Sequence, residues 1–330
     1  MLKNREAYLC LSAMLRAREG KMLNAERAER MLEAATFEDA AKLLTDCGYE
    51  DMSRMNAEEI EASLTARKAE IMEELDRLAP DSVIADLFRM KYDYHNAKVL
   101  LKSEAMGQSP DKLLSDAGRI PARQLKEFYY EGKYSSMPGS LQKAMPEAKE
   151  LLAKTNNPQQ MDFLLDNAYF TEMTALAEES GNDFLKGYVR LLIDCANLKG
   201  TVRTLRMGKS RDFLQEVLFR GGNVSTDRLL ASTDKESLSA LFAHSGLEKA
   251  AALGAEATEG GTLTAFERAC DNAVNSYLGK AKLVSFGSEP LTAYLAALEN
   301  EVTAARMILT GRLAGIRPDA LRERLRDLYA

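Results

Sequence analysis

Tryptophan is absent from this chain of 330 residues, and there are only two histidines, four cysteines and eight prolines. Each scarcity closes off a class of function. His95 and His244 lie far apart and no two cysteines form a Cys-x-x-Cys pair, so the sequence supplies no zinc ligand set, and no metal is expected. Cys10, Cys47, Cys195 and Cys270 suit a reducing compartment. Cys10 and Cys195 sit in apolar helical runs, where they are expected to serve as small buried hydrophobes. The uninterrupted apolar runs are only a few residues long, against the roughly 20 that a bilayer crossing requires. The N-terminus reaches Lys3, Arg5 and Glu6 without an apolar core, so neither a membrane span nor a signal peptide is expected. There is also no basic stripe. Acidic and basic residues interleave to a net charge of -6, which argues against a nucleic-acid partner.

What is present is an ordinary globular mixture, 46% apolar and 28% charged, long enough for two or three domains. Ala, Leu, Glu, Lys, Arg and Met, the strong helix formers, fill most of it. Met90, Tyr94, Ala97 and Leu101 recur at helical spacing, as do Leu191, Cys195, Leu198, Val202 and Leu205. No strand alternation bounded by hairpin turns occurs, so the fold class is all-α. Capping boxes are expected at Thr36–Asp39, Asn56–Glu59 and Thr233–Glu236, and an N-cap followed by proline at Asn157-Pro158. Residues 255–262, rich in Gly, Thr and Glu, read as the most loop-like stretch.

One pattern occurs three times. Asp93, Asn96 and Lys98 run on to Gly107, then Ser109-Pro110-Asp111. Asp194, Asn197 and Lys199 run on to Gly208, then Ser210-Arg211-Asp212, at an offset of 101 residues. Glu301, Ala304 and Arg306 run on to Gly315, then Arg317-Pro318-Asp319, at a further offset of 107 residues. Each copy reads as a long helix, a glycine in the left-handed position that ends it, and a new helix capped by Ser or opened by Pro. Gly118–Pro121, Gly222–Ser225 and Gly20–Asn24 are expected to open short helices. The division that follows is residues 1–107, 108–208 and 209–330, with the N-terminal helix, residues 8–19, closing the third unit.

No catalytic constellation accompanies the repeat. Asp93 with Asn96, and Asp194 with Asn197, stand one turn apart beside the apolar stripe. Repetition at matching offsets, and the loss of the amide at Ala304, favour a half-buried structural network over a ligand or ion site. Gly208-Lys209-Ser210 resembles the tail of a phosphate-binding loop, but Arg203 stands where the earlier glycine is needed and a helix precedes it. The isolated histidines lack a nucleophile partner. Tyr129, Tyr130 and Tyr134, and the scattered methionines, read as core filling. Neither a cofactor nor a small-molecule substrate is expected. An architectural part, a free-standing helical-repeat adaptor, and an all-α enzyme with Asp93, Asp194 and Glu301 converging on a carboxylate site are the three readings, in that order.

Residues 299–316, Glu-Asn-Glu-Val-Thr-Ala-Ala-Arg-Met-Ile-Leu-Thr-Gly-Arg-Leu-Ala-Gly-Ile, resemble the C-terminal signature of the central-stalk C-subunit family of V/A-type (vacuolar/archaeal-type) rotary ATPases, whose eukaryotic counterpart is the d-subunit. Residues 161–170 resemble that family's middle-unit helix and residues 20–32 its opening segment. The resemblance runs along essentially the whole chain and departs from the repeat at Ala304. It implies three similar helical domains around a pseudo-threefold axis, shaped as a funnel. It implies a non-catalytic socket between the central shaft and the membrane ring of proteolipid subunits, on the cytoplasmic face, passing torque between ATP turnover and proton or sodium transport.

Overall fold

A chain rich in straight-side-chain residues and poor in proline has helix as its economical backbone. The computed structural model describes residues 4–232 and 234–330, and among these it contains sixteen α-helices, a few 3₁₀ turns and no strand. In chain order the helices are α1 (Leu9–Glu19), α2 (Ala25–Glu33), α3 (Phe37–Lys42), α4 (Ala57–Leu78), α5 (Val83–Met106), α6 (Ala122–Tyr130), α7 (Leu141–Thr155) and α8 (Pro158–Ser180). They continue as α9 (Asp183–Arg206), α10 (Arg211–Val217), α11 (Thr226–Ala231), α12 (Lys235–Leu241), α13 (Glu248–Thr258), α14 (Leu263–Gly279), α15 (Ser288–Leu313) and α16 (Pro318–Arg322). None among the described residues is long and apolar enough to cross a membrane. The chain groups into two compact units, Ala85–Thr233 and Leu2–Ile84 with Asp234–Ala330.

The first unit is built on α5, α8 and α9. Met90, Tyr94, Ala97 and Leu101 of α5 are buried, which is what their spacing requires. A fully buried side chain of this size stabilises by about 1.5–3 kcal/mol, so the stripe is worth more than any ion pair around it. Aromatic contacts knit the helices: Phe88 stacks on Tyr188, Tyr94 meets Tyr169 edge-on, and Phe170 lies 4.6 Å from Phe219. Asn157 caps α8 by accepting from the Gln159 N–H, with Pro158 at the first helical position.

The second unit is organised around α15. Pro290 to Leu298 are all buried, so this half of the helix is apolar on every face and forms a core helix. Helices α1, α2, α3, α4 and α14 pack against it. Ser12 on α1 exchanges hydrogen bonds with the backbone of Gly287, and Arg16 Nη2 donates to the carbonyls of Ala281 and Val284 at 2.5 and 2.8 Å. Further along, Gly311 is the residue that lets α16 approach, because a Cβ there would lie 2.4 Å from Leu321 Cδ2.

The capping box at Asn56 and Glu59 is complete. Thr36 accepts from the Asp39 N–H, and its hydroxyl donates to the Asp39 carboxylate. Thr233 lies outside the described residues; α12 is capped by Asp234, which forms a box with Ser237.

Three expectations need correction. Cys10 is exposed, because α1 turns Leu11, Ser12 and Leu15 inward and Cys10 lies off that stripe; Cys195 is buried as expected. The stretch 255–262 is half helix: α13 runs to Thr258 because Ala250, Ala251, Gly254, Ala255 and Ala257 form a buried small-residue face. No helix follows Gly107. Ser109 and Pro110 start only a turn, closed by the Leu113 N–H to the Pro110 carbonyl. Leu113 is exposed there, so a helix would bury no apolar face.

Candidate functional site

The repeated motif is where the sequence concentrates its signal, and the structure buries its polar residues: Asp93, Asn96, Asp194, Asn197 and Glu301 are all at most 4% exposed. A buried polar group must be bonded. In the first two copies the bonds come from the irregular segment that follows the motif helix.

In the first copy Asn96 forms a two-way bridge with one peptide backbone. Its Nδ2 donates to the Ser115 carbonyl and its Oδ1 accepts from the Ser115 N–H, both at 2.8 Å. Asp93 Oδ1 accepts from the Arg119 N–H at 2.9 Å, and Oδ2 accepts from Arg119 Nε at 2.5 Å. Arg119 also reaches Glu172, which accepts in turn from the Tyr94 hydroxyl and the Ser140 N–H. Gly118 is required: a Cβ there would lie 2.3 Å from Asp93 Oδ1.

The second copy repeats these bonds. Asn197 Nδ2 donates to the Phe219 carbonyl at 2.8 Å and Oδ1 accepts from the Phe219 N–H at 2.7 Å. Asp194 Oδ1 accepts from the Val224 N–H and Oδ2 from Asn223 Nδ2. Gly222 plays the part of Gly118, with a hypothetical Cβ 2.2 Å from Asp194 Oδ1.

The third copy uses other means. Ala304 has no amide to offer. Glu301, one methylene longer than Asp, accepts from the Leu23 N–H at 2.7 Å and from the Tyr49 hydroxyl at 2.6 Å. Leu23 belongs to the Gly20–Asn24 segment that opens α2, where Asn24 accepts from the Arg27 N–H. Gly118–Pro121 likewise opens α6 and Gly222–Ser225 opens α11, whose cap is Ser225. The segment that serves the last motif helix therefore comes from the start of the chain.

The corners agree in all three copies. Gly107, Gly208 and Gly315 have φ of 63°, 61° and 71°. In each, the glycine N–H and the next N–H bond back into the final turn, to Glu104 and Ser103, Leu205 and Thr204, Arg312 and Gly311. Gly208-Lys209-Ser210 is thus a helix-to-helix corner, with Ser210 capping α10 by accepting from the Phe213 N–H. The cations after the acidic residue serve packing: Lys98 pairs with Asp166 on α8 at 2.6 Å, and Arg306 Nη2 with Glu61 on α4 at 2.9 Å. These pairs are half exposed and contribute at most about 1 kcal/mol each. Lys199 also has a partner.

Chemically these carboxylates are occupied. Burial pushes Asp93, Asp194 and Glu301 above the ordinary carboxylate range, and the hydrogen bonds that each accepts pull part of the way back. Both oxygens of each already accept from protein donors, so none is presented to a substrate. A cavity of about 250 Å³ in the second unit is lined by Arg18, Cys47, Tyr49, Arg67, Tyr294 and Glu301. Burial and the Glu301 charge hold the Cys47 thiol up near 11, so it is not a nucleophile at neutral pH. Among the described residues no group of His, Cys, Asp and Glu is placed to hold a metal. Neither histidine joins a site: His95 Nε2 meets the Leu113 carbonyl, and His244 has a φ of 64° in the turn after α12. Of the tyrosines read as core filling, Tyr129 is buried, but Tyr130 is exposed and lies outside the core.

A family model described as ATP synthase (C/AC39) subunit matches residues 11–324. The C-subunit of the V-type sodium ATPase of Enterococcus hirae is 26% identical over 337 residues, covering 98% of this chain and 99% of that protein. The C-subunit of the A-type ATP synthase of Methanocaldococcus jannaschii is 26% identical, covering 97% of this chain and 86% of its own length. The C-subunit of the V-type ATP synthase of Thermus thermophilus is 21% identical, covering 62% and 65%.

Proposed function

The chain belongs to the ATP synthase (C/AC39) subunit family, and from that premise we propose that it is a non-catalytic rotor subunit of a V/A-type ATPase. In this reading it is a socket: it joins the central shaft to the proteolipid ring on the cytoplasmic face of the membrane. It transmits torque between ATP turnover and the movement of protons or sodium ions. The three motif copies are three corners of like units, 1–107, 108–208 and 209–330, set around a pseudo-threefold axis as a funnel.

The observation that carries the proposal is the thrice-used corner whose polar residues are spent on holding backbone. A coupling part has to resist twist, and buried, hydrogen-bonded polar clamps beside close-packed helices resist it at low cost in volume. The relatives are themselves named as the C-subunits of a V-type sodium ATPase and of an A-type ATP synthase. The enzyme reading loses ground because Asp93, Asp194 and Glu301 are each consumed by donors within the chain.

The test is co-purification with the shaft subunits and with the proteolipid ring. The proposal expects retention by both at low salt. Retention by neither contradicts it.

A further inference from the structure

The third corner differs from the other two in what it leaves unbonded. In the first two copies the residue after the segment's glycine closes the clamp with its side chain. Arg119 follows Gly118 and donates to Asp93 Oδ2; Asn223 follows Gly222 and donates to Asp194 Oδ2. Lys21 follows Gly20 in the third copy, but there Glu301 takes the Leu23 N–H and the Tyr49 hydroxyl. Lys21 is exposed and has no hydrogen bond or ion pair among the described residues. Its side chain lines the cavity of about 250 Å³ that lies beside Glu301, walled by α1, α4, α15 and residues 47–49.

Arg67 on α4 lines the same cavity. Its Nη1 pairs with Glu70 at 2.7 Å, a solvent-exposed pair of little strength. Its Nε is buried and has no hydrogen-bond partner. A buried donor on a cation is costly to leave unbonded. The two carboxylates of the cavity wall are committed elsewhere. Glu74 accepts both Nη groups of Arg18, at 2.9 and 2.6 Å, and both oxygens of Glu301 accept as described. The Cys47 thiol, held up near 11, adds no negative charge to the wall at neutral pH.

We propose that this cavity is an anion site, in which Arg67 and Lys21 take a small divalent oxyanion, free inorganic phosphate. A tetrahedral oxyanion brings several acceptors, enough for Arg67 Nε and for the Lys21 ammonium at once, and such charge-assisted bonds are the strong ones. Size selects the free ion: about 250 Å³ lies under the roughly 300–1,000 Å³ of sites that enclose drug-sized ligands. Bound there, the ion ties α4 to the segment that opens α2. It does from outside the chain what the Arg119 side chain does within the first copy. The site stands on this cavity and is independent of the rotor role.

Isothermal titration calorimetry of the full chain with inorganic phosphate tests it, with ionic strength held constant by chloride so that general screening does not contribute. Saturable one-site binding is expected, weakened at least about tenfold by Arg67→Gln and severalfold by Lys21→Ala. Should Arg67→Gln fail to fold, Lys21→Ala decides, since Lys21 is exposed and bonds to nothing in the fold. Absence of saturable binding overturns the proposal, as does binding that the Lys21 change leaves at full strength. A second titration adds ADP to the phosphate-loaded chain. Phosphate binding is expected to be unaffected; competition by ADP overturns the assignment to the free ion.

Discussion

The corners at Asn96 and Asn197 and the corner at Ala304 solve one problem with different chemistry. In the first two, a buried asparagine clamps a backbone unit and an aspartate takes the N–H of a residue 26 or 30 positions along the chain. In the third, the clamp is missing and Glu301 takes the N–H of Leu23, 278 positions away. A lone contact across that distance costs about 2 kcal/mol more in loop closure than one across 30 residues. It is therefore not alone: the Tyr49 hydroxyl, the Ser12 and Arg16 bonds to the α14–α15 turn, and the packing of α1, α2 and α4 on α15 form together. A local repeat can thus rely on polar clamps, whereas the long-range seam joins apolar packing to several charged ties, among them Glu301, Arg16 and Arg306.

The largest expected effect separates the two designs. Asn197→Ala strands the N–H and carbonyl of Phe219 in the core and is expected to cost about 2–5 kcal/mol, seen as a lower denaturation midpoint by circular dichroism. Asn96→Ala should cost somewhat less, since Ser115 is only half buried. Ala304→Asn should give no matching gain; stabilisation by the same amount would erase the distinction. Next come the glycines under the carboxylates. Gly222→Ala and Gly118→Ala place a Cβ against a buried oxygen and should cost about 1–3 kcal/mol, whereas Gly20→Ala in the third copy meets nothing closer than 3.9 Å and should be neutral or slightly favourable.

Smaller and uniform is the cost at Gly107, Gly208 and Gly315. All three have open space around a new Cβ, so alanine brings only left-handed strain, about 1 kcal/mol at each. Unequal costs would show that the corners are not equivalent. The smallest effect is a pH trend. Burial raises the Asp194 pKa above its ordinary 3.8, so the folded state binds the proton more readily than the unfolded state. Its contribution is fullest below the ordinary range, falls as pH rises through the raised value, and is level above. The stability gap between the unaltered chain and Asp194→Asn should therefore narrow as pH rises from below 4 and then stay constant. A gap that widens over that window would mean that the hydrogen bonds outweigh burial.

Much of this was legible in the sequence. Periodicity at Met90, Tyr94, Ala97 and Leu101, and the caps at Asn56 and Asn157, place helices directly because their physics is local. The corner glycines were legible for the same reason. The partners of Asn96 and Asn197 were not, because Ser115 and Phe219 are recognised through backbone atoms that every residue carries. Nor was the tie between Glu301 and Leu23, which no local pattern encodes. Pro110 misled, since a good first-turn residue starts no helix where Leu113 has nothing to pack against. Arg326 and Tyr329 gave no signal at all, because their partners on α1 and α14 are distant in the chain.

The proposed rotor role requires that this protein turn with the shaft. A reconstituted ATPase, immobilised through its catalytic head and carrying a single-molecule probe on this chain, tests it directly. Stepwise rotation of the probe on addition of ATP is the predicted result; a probe that stays fixed while the shaft rotates would contradict it.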